Sequence, residues 1–575
     1  MAVQKVDIHT ETLMQTFIEK KTAPAIPGSV DQGVSISMRR STSAAARLAM
    51  LAGVMSFALI AAGCGGGGGG STAGGSSNGG GTPTGGTGSG GSGSDGSGTG
   101  GTGTGSSGGG TGTGTGSGSG PGQSAPAPVV YIADQDIYEK YELYLADPAA
   151  PGGSVKLNGA LPAGSGIDDF QLNQSHTAVV YTADENTLNR RELYMVNLAN
   201  PGAPVRLNTP LTVNRDVLDF AVSPDGTKVV YRADQNADEV YELYLVNVAQ
   251  PGVSQKLNSP LTANGWVRSD FLFSPDNLHV AYRADQEVVD RLELFLVDVA
   301  SPGTSKKLNS ALVAGGNVYT SFEFSPDGST VGYVADQQTD ETLELFAAPL
   351  ATPGTTSKLN GPLTAGGDVC RFEWSPDSKR VAYCADQDTD GTMELYTVSQ
   401  TTPGQAVKVN PPLVSGGKVT SGYEFGPDSS FIVYAANQDS ATRTDLYRAD
   451  IATLGMATKA NATLPTGGNV IGFHLSPDGT RVGYIANQDD VAVYEVYEAN
   501  FLTPGTAPKI SAPMKMSGVF SFRYSSEGNE IVYLADQDSD ASEIYRVDLA
   551  AAGVSTKLNG ALVTGGEVWA YAIAD

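Results

Sequence analysis

The chain has 575 residues, with 61 Asp/Glu against 35 Lys/Arg and a formal charge of −26. Residues 1–125 hold six Lys/Arg and five Asp/Glu, which leaves 29 basic and 56 acidic residues, a net charge of −27, on the remainder. So acidic a surface repels phosphate backbones, which excludes nucleic acid as an expected partner; cationic ligands, divalent ions and plain solubility are compatible with it.

Residues 1–37 mix polar and apolar types with no sustained period. Met38-Arg39-Arg40 opens a different pattern: an Ala/Ser stretch to Arg47, an apolar run from Leu48 to Ala62, and the close Ile60-Ala-Ala-Gly63-Cys64. A basic start, a short apolar core and small residues at its end have the layout of a signal peptide. Fifteen apolar positions fall short of the ~20 a membrane span needs. The closing cysteine makes residues 38–63 resemble a bacterial lipoprotein signal, although Ala61 stands where leucine is more usual. That resemblance implies that translation starts at Met38 and that residues 1–37 are an over-extended, disordered N-terminus. It implies further that Cys64 is the lipidation site and the first residue of the mature protein, since several acyl chains on one residue suffice for stable anchoring. With Gly65 next rather than aspartate, an outer-membrane lipoprotein is implied, facing the periplasm or the cell surface. Residues 65–125 are almost wholly Gly, Ser and Thr, with one charge at Asp95. Nothing there offsets the entropy of ordering, so residues 64–125 read as a disordered tether with a span of ~45 Å r.m.s..

From residue 126 onward one unit recurs. Its opening aromatics are Phe170, Phe220, Phe271, Phe322, Phe372, Tyr423, Phe473, Phe522 and Tyr571, spaced 49 to 51 residues apart. A period near fifty marks stacked units that cannot bury their apolar faces alone. Within a unit the apolar spacing is two, the strand period. Phe372 and Trp374 share one face of a first strand, Val381 and Tyr383 one face of a second. Leu395-Tyr396 begins a third, and Lys408-Val409-Asn410 supplies a short fourth. Ser-Pro-Asp-Gly at Ser223–Gly226, Ser325–Gly328 and Ser476–Gly479 suits a hairpin: proline pre-sets φ, aspartate bonds the turn backbone, and glycine accepts positive φ. The fold class is therefore all-β, a propeller of four-stranded antiparallel blades. Second-strand tyrosines from Tyr131 to Tyr533 count nine units. Val129-Val-Tyr131 matches a second strand and Val568-Trp-Ala-Tyr571-Ala-Ile573 a first, so the C-terminal strand is expected to complete the opening blade. The recurring aromatics read as inter-blade core.

The run Phe-x-x-Ser-Pro-Asp-Gly-x-x-Val-x-Tyr-x-Ala-Asp, followed by Glu-Leu-Tyr, resembles the WD40-like (PD40) repeat of TolB-type propellers. The likeness covers roughly residues 129–575, within a propeller domain placed at 126–575. It implies fold more than function, because that repeat serves translocation proteins, peptidase propellers and lipoproteins alike. The α/β domain that precedes the propeller in TolB itself has no counterpart here.

The turns between second and third strands repeat an acidic signature at Asp134/Asp136, Asp234/Asp238, Asp336/Asp340, Asp386/Asp388/Asp390 and Asp536/Asp538/Asp540. In a propeller these turns share one face with the blade-to-blade loops, so an acidic rim at one channel mouth is expected. Asp386-x-Asp388-x-Asp390-Gly391 has the spacing of hard oxygen ligands and makes Ca²⁺ the candidate cofactor. Position twelve is Thr397 rather than glutamate, so no EF-hand is present, and the competing explanation is an ordinary Asp/Gly turn. His176, His279 and His474 come from three units at non-equivalent positions and imply no triad or metal cluster. Cys370 and Cys384 lie on neighbouring strands. With Phe372 opposite Tyr383 their sulfurs fall on opposite faces, so free, buried thiols are expected unless a one-residue bulge intervenes.

The reading that results is a monomeric, lipid-anchored, extracytoplasmic propeller that binds another envelope protein or a cationic or polysaccharide ligand through its acidic rim. No catalytic residue is assigned. The alternative is a propeller enzyme, a lyase or hydrolase acting on polysaccharide or peptide.

Overall fold

A computed structural model of the chain describes residues 126–574 apart from 148–149 and 516–517; the expected leader, Cys64 and the tether of residues 64–125 lie outside the described residues. The repeat folds as its periodicity dictates. In the sixth unit the strands Val369–Trp374, Arg380–Ala385, Glu394–Ser399 and Val407–Lys408 pair in sequence order, each antiparallel to the last. The first hairpin closes as the turn chemistry requires. The Ser375 hydroxyl donates to Asp377 (2.7 Å) and accepts from the Arg380 amide (2.9 Å), while Ser378 takes φ +61°. Gly226, Gly328 and Gly479 fill that left-handed position in other units, and His176 occupies it in the second.

Nine such sheets form among the described residues, eight of four strands and one of three. The exception joins Val470–Leu475, Arg481–Ala486 and Glu495–Asn500, and its fourth strand shrinks to a single bridge between Tyr497 and Lys509. We number the blades from the one containing Val129–Ala133. That strand pairs on one side with Glu142–Ala146 and on the other with the C-terminal strand Val568–Ile573, with Tyr131 opposite Tyr571. Blade 1 is thus assembled from both ends of the propeller, as expected. Its two faces also engage both neighbours. Val130 and Ile132 pack with Val179 and Tyr181 of blade 2, and Val129 and Tyr131 with Val532 and Leu534 of blade 9. Nine apolar clusters, each straddling two consecutive blades, close the ring.

First strands of successive blades lie against one another, which makes them the inner wall. Burial there is tight. A Cβ on Gly332 of blade 5 would stand 2.7 Å from the Phe372 ring of blade 6 and 3.1 Å from Trp374. Glycine at 332 is what lets those two large rings lie on the neighbouring sheet.

One expectation is corrected. Cys370 and Cys384 are disulfide-bonded, with Cα atoms 5.6 Å apart. Phe372 does face Tyr383, but Val369 faces Ala385 and Arg371 faces Cys384, so Cys370 is the extra residue of a β-bulge. The bulge turns its side chain to the face that Cys384 occupies. The bridge closes a loop of 14 residues. Serine at both positions should lower stability by ~1–3 kcal/mol, the lower end applying because the hairpin already limits that loop. Urea midpoints with and without reductant would check this: the wild type should shift and the double variant should not.

Candidate functional site

The acidic turns separate into two kinds of aspartate. The first aspartate of each turn is buried and clamps backbone. Asp386 accepts from the Asp368 amide (2.6 Å) with one oxygen and from Gly391 (2.9 Å) with the other. Asp134 does the same with Glu567 and Glu139, and Asp336 with Asn317 and Glu341. Asp234 holds the Asp216 amide and Asp536 the Gly518 amide, each tying its turn to the loop entering the same blade. These carboxylates set the shape of the face rather than its charge.

Later members of the turns do face solvent. Asp238, Asp340, Asp390 and Asp540 are exposed. Asp136 and Asp388 are half-exposed but paired with Lys156 (2.9 Å) and Lys408 (2.7 Å), while Asp538 accepts from the Tyr545 hydroxyl. Each of those lysines also reaches a buried carboxylate, the residue that opens the third strand. Such a pair occurs in all nine blades, Lys408–Glu394 at 2.5 Å and Lys557–Glu543 at 2.9 Å among them. Two residues beyond the cation an asparagine is buried. Asn410 accepts from the Leu395 amide (2.8 Å) and donates to the Pro411 carbonyl (2.9 Å), and Ser511 replaces it in blade 8. This Glu–Lys–Asn clamp escaped the sequence reading. Its signal was the Lys-Leu-Asn that recurs fourteen residues after Glu-Leu-Tyr or Glu-Leu-Phe, varied to Arg-Leu-Asn in blade 2 and Lys-Val-Asn in blade 6.

Asp386, Asp388 and Asp390 do not converge as a Ca²⁺ ligand set. Asp386 is committed to two amides and Asp388 to Lys408. Among the described residues no three His, Cys, Asp or Glu side chains group so as to hold a metal ion. The histidines stay apart: His176 lies in a hairpin turn of blade 2, His279 pairs with Asp298 (2.8 Å), and His474 meets Glu424 (3.0 Å).

The last contact belongs to a second constellation, which sequence reasoning passed over. In the first strand of each blade, the residue after the core aromatic turns from the buried face towards the first strand of the next blade. Round the ring from blade 1 this position reads Ala572, Gln171, Ala221 and Leu272, then Glu323, Glu373, Glu424, His474 and Arg523. Gln171 accepts from the Val222 amide (3.1 Å), Glu373 from Phe425 (3.2 Å) and Glu424 from Leu475 (3.0 Å), so these side chains stitch neighbouring inner strands together. Arg371 stacks on Tyr423 at 4.7 Å and lies 4.0 Å from Glu373. Burial pushes the Glu373 carboxyl up to about 8, with Glu424 adding to the rise and Arg371 opposing it. Burial likewise pushes Glu323 up to about 7, against the pull of Arg371. Two carboxyls that titrate near neutrality beside a Glu–His pair have the chemistry of proton exchange. The sequence signal was a position that varies from blade to blade inside a frame that does not.

No family model and no curated protein matches the chain. Solved structures resemble it at low identity. A eukaryotic initiation factor aligns over 79% of this chain and 99% of its own, at 11% identity and a TM-score of 0.50. Dipeptidyl peptidase 4 of Porphyromonas gingivalis aligns over 69% of this chain at 15% identity and a TM-score of 0.49, and the chain spans 60% of that enzyme's length. A prolyl endopeptidase aligns over 70% of this chain and 50% of its own, at 11% identity and a TM-score of 0.40. At 11% identity the likeness to the initiation factor speaks to fold alone.

Proposed function

We propose that the chain is a lipid-anchored propeller of the bacterial cell envelope whose acidic face binds a partner of basic surface chemistry, an envelope protein or a cationic ligand. The observation that carries this reading is the placement of Asp238, Asp340, Asp390 and Asp540, all exposed, on turns that buried aspartates clamp to the body of the ring. Charge held on a rigid frame loses little entropy on binding. The lipoprotein-like close at Cys64 supports the anchor, and acylated Cys64 in the mass spectrum of the mature protein would test that part. For the face, partners recovered from native envelope on purified residues 126–575 should be lost with Asp238→Asn, Asp340→Asn, Asp390→Asn and Asp540→Asn combined. Recovery indifferent to all four would remove the basis of the reading.

A second reading is favoured by the inner-wall carboxyls. Glu373 and Glu323, raised towards neutrality, beside Glu424 and His474, suit general acid–base work on a saccharide or peptide threaded along the axis. Turnover of a glycan and peptide panel, abolished by Glu373→Gln, would establish it.

A further inference from the structure

Blade 4 breaks the charge pattern of the ring. Where its first strand bulges, Val267 faces Ala284 and pairing resumes at Phe271 opposite Tyr282, leaving residues 268–270 out of regular register. The position after the first valine carries Leu218, Tyr319, Cys370, Thr420, Ile471, Phe520 and Trp569 in seven blades, and in blade 2 Asp168 follows Ile167; in blade 4 it carries Arg268. An arginine that appears once in a frame repeated nine times is not required by the frame.

Its environment is equally unusual. Arg268 makes no hydrogen bond or ion pair with any described residue, and its Nε is buried without a partner. Other arginines with a buried, unpartnered nitrogen are tied down by their remaining atoms, as Arg206 is by Glu192 and Arg546 by Glu530. Arg268 has only the face of Trp266, 4.9 Å away. Trp266 leans on Tyr241, which carries Arg232 on its ring at 5.3 Å. The carboxylates that favour the charge of Arg268, Asp285 and Asp270, are engaged elsewhere. Asp285 accepts from the Trp266 and Asp290 amides, and Asp270 is forked by Arg283 at 2.6 and 3.1 Å. Arg283 in turn donates to the Val318 carbonyl at 2.9 Å.

Arg268, Arg283, Asp290, Asn317 and Tyr319 line a cavity of about 260 Å³ between blades 4 and 5. A buried polar atom of a native protein ordinarily has a partner, and guanidinium presents a planar fork matched to a carboxylate. One cation without an ion-pair partner, with Asp285 already favouring its charge and Asp290 also lining the cavity, favours a singly charged group over a dianion.

We propose that this cavity is a binding site for the carboxylate of a small acidic ligand, held by Arg268 with Tyr319 and Asn317 beside it. The site lies beside the second-to-third-strand turns of blades 4 and 5, where Asp290 lines it and Asp336 holds the Asn317 amide, yet it takes ligands of opposite sign to those proposed for the exposed aspartates. A sugar acid or the free C-terminus of a peptide would each supply the group.

Tryptophan fluorescence tests this, because Trp266 lies under the guanidinium and the sequence has only three tryptophans. The propeller would be titrated with D-glucuronate against D-glucose, and with N-acetylglycine against N-acetylglycinamide. A saturable change with the acids and none with the neutral analogues is expected, and whichever acid binds tighter identifies the source. Arg268→Gln and Arg268→Met should each weaken binding at least about tenfold, the scale of one charge-assisted fork; whichever variant folds carries the comparison. No saturation by either acid, or binding unchanged in the folded variant, overturns the proposal.

Discussion

Deleting Val568–Asp575 should cost the propeller far more than the loss of one terminal strand from an open array. Val568 is buried, and with Tyr571 and Ile573 it packs among Val129, Tyr131 and Val532 where blade 1 meets blade 9. The Tyr571 hydroxyl also donates to the Val532 carbonyl at 3.0 Å. One buried and two half-buried side chains, at ~1.5–3 kcal/mol for full burial of each, place the direct loss at roughly 3–6 kcal/mol. The strand Val129–Ala133, wholly buried in the closed ring, would become a bare apolar edge ready to pair with another copy. A lower urea midpoint, dye binding to exposed apolar surface and a shift towards oligomers on size-exclusion chromatography are expected together. An unchanged midpoint with a monomeric profile would mean that closure contributes nothing to stability.

Glu373→Gln should stabilise the protein at alkaline pH and leave it unchanged in acid. Burial raises the Glu373 carboxyl from the ordinary 4.5 to about 8 in the fold. A raised carboxyl favours the native state below the unfolded value, and that contribution drains away as pH climbs through the folded one. The loss therefore falls between about pH 4.5 and pH 8. Taken whole, the shift is worth ~5 kcal/mol. The Glu373 side chain keeps 27% of its surface open, so channel water reduces the effect to ~2 kcal/mol. Glutamine retains an oxygen for the Phe425 amide and never ionises. Urea unfolding at pH 5 and pH 9 should show coincident midpoints in acid and a more stable variant in base. A gain of equal size at both values would point to packing rather than titration. Glu323, raised to about 7 by burial, should behave alike with a smaller gain.

Much of this architecture was legible in one dimension because a propeller is a local fold repeated. Phe372, Trp374, Val381 and Tyr383 announce strand period and core together, and all four are buried. The hairpin signature at Ser375–Ser378 also folds as its chemistry requires. Closure was legible too, because Val568–Ile573 carries the first-strand pattern that the opening unit lacks. The disulfide was not. It turns on whether one residue is extra between Val369 and Arg371, and a single bulge inverts the face of every side chain beyond it.

The function-bearing groups divide along the same line. Composition and turn spacing determined that one face is rich in aspartate, because Asp at those positions is both a turn former and a charge. Only the tertiary structure decided which aspartates are spent on amides, as Asp386 is, and which stay in solvent, as Asp390 does. It alone lined up Glu323, Glu373, Glu424 and His474, some fifty residues apart in sequence, and left Arg268 without a carboxylate. The physical reason is range. Strand period, turn chemistry and net charge are properties of neighbours along the chain. Burial, pairing and pKa depend on groups that only ring closure brings within a few ångströms.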